Sequence, residues 1–398
     1  MDILDLVKKV DKGAEVLSDS ALSKPMEFID TGFYIVNACI SGSLFGGIPN
    51  RITTVSGSPG SGKSFFMLSC AREAQKKGYT PIVMDTEYAI DETFCVRLGI
   101  DPDHIIIRPT NTISDMSEFV SKLCDELEKE DEEKRPKIML ILDSLSNLTS
   151  DDEKKNAEEG NMGKRDFTKQ LQLKAFFRVV TTRLGMLGIP MMLSTHTYMS
   201  MDFFSVEKAS GGMGLQFSSS TMLMLSASKL NGDDKENDKK AGDNKDLVKT
   251  GINVMCKPTK SRFTKPIKVR FHIPYFKSPN PYVGLENYLT WENSGIGRGK
   301  CLTEEEVSKL SKGDQNKVKP FDYEGETLYF LPGDRARSIV VSHLGRQVPL
   351  NRFYTDEVFT DEFLHKIDDE IIKPIFSLPD RSSTNDIEEY LDEDEEDV

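Results

Sequence analysis

The stretch that decides the fold is Gly57-Ser58-Pro59-Gly60-Ser61-Gly62-Lys63-Ser64. It fits the pattern G-x-x-x-x-G-K-[ST], follows the β-branched run 52–55, and precedes a helix-compatible stretch at 65–76. A glycine-rich turn between a strand and a helix points backbone N–H groups at an anion, and the positive end of the helix adds to the attraction. These eight residues therefore predict a phosphate-binding loop for a nucleoside triphosphate.

The last two residues of the loop carry the chemistry that a triphosphate requires. Lys63 supplies a positive charge for the β- and γ-phosphates, and Ser64 offers a hydroxyl to Mg²⁺. The ion also needs a carboxylate at the tip of a neighbouring buried strand, and Asp143 directly follows the apolar run 138–142. We therefore predict Ser64 and Asp143 as metal ligands, and the alternative for Asp143 is a cap on the following turn.

Hydrolysis of a triphosphate also requires a group that orients or deprotonates the attacking water. Glu87 lies just beyond the apolar run 82–84, where another strand of the sheet should end. Ligands of open α/β sheets collect at the carboxyl ends of the strands. We therefore favour Glu87 over Asp85 as the catalytic base, and the alternative is a solvated loop carboxylate.

Composition and charge bound the other possibilities. Of 398 residues, 38% are hydrophobic and 29% charged, as in an ordinary soluble protein, and the six cysteines form no C-x-x-C pair. No apolar run reaches the length of a membrane span, so we expect a cytoplasmic protein. The net charge is −14, but nine of the acidic residues lie between 386 and 397, where no base occurs, which leaves −5 elsewhere. Charge therefore does not exclude a nucleic-acid partner.

The order of predicted elements indicates an α/β fold. Runs that are apolar at every position, such as 138–142, imply burial on both faces and hence a mostly parallel twisted sheet flanked by helices. We divide the chain into an N-terminal helix and linker (1–28), the ATPase core (29–290), a small helical C-terminal domain (291–378) and an acidic disordered tail (379–398). Strands are predicted at 52–56, 81–84, 105–107, 138–142, 191–194, 221–225, 252–255 and 267–271.

An ordered set of motifs, taken together with this loop, resembles the ATPase core of RecA-type recombinases over roughly residues 28 to 290. Among these, the set is most similar to the UvsX-type recombinases of tailed bacteriophages. Each motif is weak by itself, and the order and spacing of the set make the resemblance specific. The motifs are Thr31-Gly32 through Gly46-Gly47-Ile48-Pro49, residues 85–91, residues 143–148, His196-Thr197-Tyr198, residues 211–214 and Lys260-Ser261-Arg262.

The resemblance implies roles for several residues near the nucleotide. It makes Glu87 the catalytic carboxylate and matches Asp91 and Phe94 to positions that contact the adenine. His196 occupies the place where bacterial RecA proteins carry a glutamine that senses the γ-phosphate, and an imidazole can also donate to a phosphate oxygen. Lys260 and Arg262 match the basic pair that reaches the γ-phosphate bound by the neighbouring subunit. The alternatives are a structural histidine and an ordinary basic surface loop.

Two loops support a nucleic-acid interaction. The first spans 157–165, and its Met162-Gly163 matches the family's first DNA-binding loop; the second spans 197–214 and is unusually apolar. Thioether and aromatic side chains can wedge between bases while cations and glycine N–H groups meet phosphates, so this mode of binding reads no base sequence. Packing of Met201 and Phe203 against a neighbouring subunit is the alternative. The predicted DNA-binding residues are Met162, Gly163, Lys164, Arg165, Tyr198, Met199, Met201, Phe203, Lys208, Gly211 and Gly212.

Together these features predict a DNA-dependent ATPase that uses ATP and Mg²⁺, forms filaments on single-stranded DNA and pairs it with a homologous duplex. A single-strand-binding protein and a recombination mediator are the expected partners, and the host cytoplasm is the expected location if a phage encodes the chain. One alternative is a hexameric helicase motor, which the roughly 50 residues before the phosphate loop disfavour. The other is an ATP-switched mediator of recombination.

Overall fold

The computed structural model describes residues 3–10, 16, 26–160, 168–199, 207–228, 251–275 and 278–378. Some predictions fall outside the described residues. These are Met162, Gly163, Lys164, Arg165, Met201, Phe203 and the acidic tail.

A central sheet of eight strands contains all eight predicted strands, in the order β12-β11-β10-β3-β7-β6-β4-β5. The strands from β10 to β5 along this order pair in parallel, whereas β11 and β12 are antiparallel additions. The α/β class and the mostly parallel sheet are thus confirmed. The strands up to this point are β1 (Phe28–Ile29), β2 (Ile48–Pro49), β3 (Ile52–Gly57), β4 (Thr80–Asp85), β5 (Ile106–Pro109), β6 (Ile138–Asp143), β7 (Met191–Thr195), β8 (Thr197–Met199), β9 (Glu207–Ala209), β10 (Thr221–Ser228), β11 (Gly251–Lys260) and β12 (Val269–Pro274).

Helices cover both faces of this sheet and create two hydrophobic cores. The first core lies against α2 and α3, and the second against α5 and α7. In α5, Thr112 accepts a hydrogen bond from the Asp115 N–H as the N-cap, and apolar side chains at helical spacing are buried toward the second core. The helices are α1 (Ile3–Val10), α2 (Tyr34–Ser41), α3 (Lys63–Lys76), α4 (Glu92–Arg97), α5 (Ile113–Leu127), α6 (Asp151–Glu158), α7 (Thr168–Leu187) and α8 (Gly212–Ser218).

The prediction of a helical C-terminal domain is wrong. Residues 296–349 form a five-stranded antiparallel sheet, in the order β14-β15-β13-β16-β17, with only short helices around it. Glu324 and Gly325 connect β14 to β15 with φ of 50° and 85°, the conformation of a two-residue hairpin turn. The elements are α9 (Trp291–Ser294), β13 (Ile296–Leu302), α10 (Glu304–Ser308), α11 (Lys312–Gln315), β14 (Lys319–Tyr323), β15 (Glu326–Pro332), β16 (Ser338–Val341) and β17 (Arg346–Pro349).

The last described segment returns to the ATPase core. Helices α12 (Asp361–Ile367) and α13 (Lys373–Phe376) are joined by a π-helical turn, and their apolar side chains belong to the first core. Buried Asp368 anchors the segment, because it accepts hydrogen bonds from the Leu44 N–H at 2.6 Å and the Ser43 hydroxyl at 2.7 Å. The division of the chain at 290 stays a prediction.

All six cysteines are free, and five of them are buried. Within the described ranges, every helix is too short or too polar to cross a membrane.

Candidate nucleotide site and nucleic-acid surface

The carboxyl ends of the parallel strands β3, β4, β6 and β7 lie at one edge of the sheet. Asp85 is in register with Asp143, and Ser56 with Thr195. The predicted groups lie at or just beyond these strand ends: Lys63 begins α3 after the loop that follows β3, Glu87 lies in the loop after β4, Asp143 is the last residue of β6, and His196 directly follows β7. One edge therefore gathers the predicted phosphate loop, metal carboxylate, base and sensor, as expected for an open α/β sheet.

The phosphate loop turns directly into α3. Gly62 caps this helix with φ of +90°, and a Cβ there would lie 2.5 Å from the Ile273 Cδ1, so only glycine fits. Lys63 Nζ donates to the carbonyls of Gly57 at 2.8 Å and Ser58 at 3.0 Å. Burial lowers the pKa of Lys63, and the nearby Asp143 and Glu87 oppose this shift.

The loop fits an anion. The Ser61 hydroxyl is fully buried and has no hydrogen-bond partner within the described part of the chain. Such an orphaned donor is costly unless something accepts its proton. Together with the desolvated ammonium of Lys63 and the helix N-terminus, it suits a bound phosphate group.

Asp143 is almost fully buried at the end of β6. Burial raises the pKa of its carboxyl group, against hydrogen bonds from Ser194 and Ser64 that lower it; the Ser194 Oγ lies 2.5 Å from its Oδ1. The influence of Ser64 on this pKa indicates that the two predicted metal ligands are neighbours. In the part of the chain that the structure describes, no three His, Cys, Asp or Glu side chains lie close enough together to hold a metal ion. An Mg²⁺ ion on Ser64 and Asp143 would thus complete its coordination with phosphate oxygens and water.

Glu87 is oriented by two neighbours that the sequence prediction missed. Its Oε1 accepts hydrogen bonds from the Ser144 hydroxyl at 3.0 Å and the Asn147 amide at 3.1 Å. Its side chain remains one-third exposed, at 33%. Asp85, by contrast, is buried and accepts the N–H groups of Glu87 and Tyr88, both at 2.9 Å. Asp85 therefore holds the loop in place, which supports the choice of Glu87 as the predicted base.

His196 lies beside Glu87. Its Nε2 is 3.9 Å from the Glu87 Oε1, too far for a hydrogen bond, and its Nδ1 is buried with no partner in the described part of the chain. The backbone N–H of His196 donates to the Ser146 hydroxyl at 2.9 Å. The imidazole thus stands next to the predicted base with an unused ring nitrogen.

The predicted adenine contacts share one turn. Asp91 is the N-cap of α4 and accepts the Phe94 N–H at 2.7 Å, while Phe94 packs partly against the first core. This turn follows the loop that carries Glu87, so it lies on the same side of the sheet as the phosphate loop.

Lys260 and Arg262 lie near the amino ends of the parallel strands, at the end of the sheet opposite the carboxyl edge; we call this end the amino edge. Lys260 pairs with Met222 near the start of β10, and its Nζ donates to the Gln216 carbonyl at 2.5 Å. Burial and the neighbouring Arg262 lower the pKa of both Lys260 and Arg51. Because Arg51 directly precedes β3 and the phosphate loop follows this six-residue strand, Arg51 and the neighbouring Arg262 are roughly 20 Å from their own loop. The backbone of Lys260 is level with Thr54 through Met222, about halfway along the strand.

The second predicted loop is in part a hairpin, which corrects the sequence prediction. Strand β8 pairs with β9 so that Tyr198 faces Lys208, and the Thr197 hydroxyl donates to Glu207 at 2.5 Å. Tyr198 and Met199 are 53% and 59% exposed. We call β8 and β9 the DNA hairpin, after the DNA-binding role that the sequence predicts for this segment; it presents apolar groups to solvent beside His196.

Gly211 and Gly212 connect the DNA hairpin to α8. Both have positive φ, and a Cβ on Gly211 would lie 2.6 Å from the Leu215 Cδ2. A Cβ on Gly212 would lie 2.3 Å from the Gln170 Oε1. Close packing thus explains these glycines, independently of any contact with phosphates.

The mostly parallel sheet, the phosphate loop after β3 and the buried carboxylate after β6 define an α/β domain with a RecA-like core. The family model described as the RecA N-terminal domain matches residues 2–270, and the chain therefore belongs to the RecA family.

Three relatives illustrate the similarity. The "Recombination and repair protein" of Enterobacteria phage T4 is 25% identical over 213 residues, 52% of each chain. "Protein RecA" of Nautilia profundicola is 28% identical over 222 residues, which cover 54% of this chain and 59% of that protein. "Protein RecA" of Mannheimia haemolytica is 25% identical over 331 residues, 80% of each chain. The chain thus spans only about half of the length of the first two relatives.

Proposed function

We propose that this protein is an ATP-dependent DNA recombinase that acts in recombination and repair. It assembles head to tail on single-stranded DNA, pairs this strand with a homologous duplex and exchanges strands, and hydrolysis of ATP weakens the filament. The observation that carries the proposal is that the predicted nucleotide-contacting residues lie at two opposite ends of the central sheet. Lys63, Glu87 and Asp143 gather at the carboxyl edge, whereas Lys260 and Arg262 lie at the amino edge.

In this proposal the loop Gly57–Ser64 cradles the triphosphate, with Lys63 on the β- and γ-phosphates. Asp91 and Phe94 contact the adenine, and an aromatic face suits that task. Ser64 and Asp143 hold Mg²⁺, which neutralises phosphate charge when it is bound.

Glu87 acts as the base on the attacking water, and Ser144 and Asn147 fix the orientation of its carboxylate. His196 senses the γ-phosphate through its imidazole. Lys260 and Arg262 reach the phosphates of the adjoining protomer and neutralise the charge that develops during transfer. Hydrolysis consequently requires assembly.

Single-stranded DNA binds along the DNA hairpin through Tyr198, Met199 and Lys208. Gly211 and Gly212 allow close approach at its base. Met162, Gly163, Lys164 and Arg165, with Met201 and Phe203, complete the surface in this proposal. Stacking and phosphate contacts make this binding tolerant of sequence and sensitive to salt.

Assembly is supported by two exposed apolar features. Helix α1 exposes Ile3 at 77% and Val10 at 89%, and the edge strand β5 exposes Ile106 at 50%. An unpaired strand edge and an uncovered apolar helix are both suited to contact another protomer. We assign residues 1–28 to that contact. A single-strand-binding protein and a mediator are the further partners, and the cytoplasm is the site of action.

The test is whether MgATP drives assembly and strand exchange on single-stranded DNA. We expect helical filaments by electron microscopy, phosphate release that depends on DNA, and exchange between a single strand and a homologous duplex. Lys63→Ala should abolish all three, because the loop loses its cation. Monomeric protein that ignores DNA at saturating MgATP would refute the proposal, and strand displacement without exchange would favour a helicase.

A further inference from the structure

Three hydroxyl groups meet between the nucleotide site and the DNA hairpin. The Ser146 Oγ lies 3.2 Å from the Thr195 Oγ1 and 3.0 Å from the Ser210 Oγ, and the Thr195 and Ser210 oxygens are 2.6 Å apart. We call this set the hydroxyl triangle. Ser146 belongs to the turn after β6, Thr195 ends β7, and Ser210 lies between β9 and α8. The triangle thus joins three separate segments.

The triangle holds the main chain of His196 from two sides. The His196 N–H donates to the Ser146 Oγ at 2.9 Å, and the Ser210 N–H donates to the His196 carbonyl at 2.9 Å. The Thr195 hydroxyl also donates to the Ser210 carbonyl, at 2.9 Å. A displacement of His196 therefore stretches contacts of the triangle.

The neighbours of the triangle connect it to both proposed functions. Asn147, which follows Ser146, donates to the Glu87 carboxylate at 3.1 Å. Ser210 directly follows β9 of the DNA hairpin and precedes Gly211. Ser146 is thus next in sequence to Asn147, which orients Glu87, and Ser210 is next in sequence to the DNA hairpin.

The triangle cannot satisfy all its contacts at once. Three hydroxyl protons serve three oxygen–oxygen contacts and the carbonyls of Ser210 and His196, so each arrangement leaves two of the five contacts without a proton. Different donor patterns consequently compete. When a group of hydroxyls has several discrete hydrogen-bond arrangements and contacts two sites, a ligand at one site can favour the arrangement that strengthens or weakens binding at the other.

We propose that Ser146, Thr195 and Ser210 are positioning residues that couple the nucleotide state at Glu87 and His196 to the DNA affinity of the hairpin. This inference rests on the proposed function, because it names the route by which the same nucleotide controls the same DNA surface.

The experiment measures a coupling factor, the ratio of the dissociation constants for a single-stranded oligonucleotide in MgADP and in MgATP at fixed salt. Ser146→Ala removes the hydroxyl that accepts from His196 and contacts both other members. We expect its coupling factor to fall by about tenfold toward one, a typical range for allosteric coupling. Nucleotide affinity without DNA should stay within about twofold, because the hydroxyl of Ser146 bonds to Thr195, Ser210 and His196 and not to the phosphate loop.

Three further variants separate coupling from simple packing. Ser146→Thr keeps the hydroxyl and should restore most of the coupling factor. Ser219→Ala is the matched control, since it deletes one member of another buried hydroxyl pair, Thr54 and Ser219 at 2.8 Å. This control should leave the coupling factor unchanged. Ser210→Ala repeats the test from the hairpin side and should also lower the factor.

Each outcome has a distinct meaning. If Ser146→Ala and Ser210→Ala fold and keep the wild-type coupling factor, the inference is wrong while the proposed function stands. The inference is equally wrong if Ser219→Ala lowers the factor as much as they do. A wild-type coupling factor of one overturns the proposed function, and the inference falls with it.

Discussion

Two carboxylates at the same edge of the sheet have opposite surroundings. Both are buried, but Asp85 accepts backbone N–H groups from the loop that it holds, whereas Asp143 lies beside hydroxyl groups and other carboxylates. Both residues end a buried strand in the sequence, so the pattern marks them equally. What distinguishes them is the path of the following loop, which no local sequence pattern specifies.

The raised pKa of Asp143 gives a prediction on stability. The folded state binds the proton more tightly than the unfolded state, so ionised Asp143 destabilises the fold at pH values above its folded pKa. Without nucleotide, we expect Asp143→Asn to raise the melting temperature at neutral pH. The gain should shrink as the pH falls through the folded pKa and vanish below the unfolded value. Calorimetry across this pH range is the measurement.

Asp143→Asn should also bind nucleotide less well in the presence of Mg²⁺, because a neutral amide attracts the ion less strongly than a carboxylate does. A melting temperature below that of the wild type at neutral pH would contradict this account of Asp143.

Glu87→Gln tests the predicted base. The amide preserves size and can still accept a hydrogen bond, but it cannot take a proton from water. We expect hydrolysis to fall by about 10² to 10⁴-fold, the usual contribution of a general base. Binding of MgATP and of single-stranded DNA should stay within about twofold. Steady-state phosphate release and DNA titrations check both statements, and normal turnover would remove Glu87 from this role.

At the scale of elements, the junction between the DNA hairpin and α8 depends on close packing. Gly211 has φ of +113° and stands against Leu215 and Leu145. Gly78 also has positive φ, at +77°, but a Cβ there would meet no atom within 4 Å. The two glycines therefore differ in crowding and share the requirement for an unusual backbone conformation.

We expect Gly78→Ala to cost about 1 kcal/mol of unfolding free energy through φ alone, and Gly211→Ala to cost about 2–4 kcal/mol because the methyl group also collides. Urea denaturation of the two variants measures the difference. Equal losses would show that crowding at Gly211 does not constrain this junction.

The sequence predicts the elements of the core well because each element there follows a strong local rule. All eight predicted strands belong to the sheet, since runs such as 138–142 are apolar at every position. The C-terminal sheet is missed because strands such as β14 and β15 are largely half-exposed, and because the Glu324-Gly325 turn is a weak signal. The roles of Ser144, Asn147 and the hydroxyl triangle depend on contacts between distant segments, and a single residue does not specify such contacts.

At the scale of the whole molecule, the two edges of the sheet carry complementary charges. The carboxyl edge holds Glu87 and Asp143 beside the phosphate loop, and the amino edge holds Arg51, Lys260 and Arg262. One molecule cannot bring these edges together, because β3 separates them. In the proposed assembly, a head-to-tail contact joins the carboxyl edge of one protomer to the amino edge of the next, and such a contact generates a helix when it does not close.

The most direct test mixes two variants that are inactive for different reasons. Glu87→Gln lacks the base but keeps the amino-edge cations, whereas Arg262→Ala keeps the base but lacks a cation. In an equal mixture on single-stranded DNA, about a quarter of the contacts join an intact base to an intact cation pair. We predict that mixing restores roughly that fraction of the wild-type hydrolysis rate, measured as phosphate release. A mixture no more active than the sum of its separate components would contradict the claim that neighbouring protomers share one site.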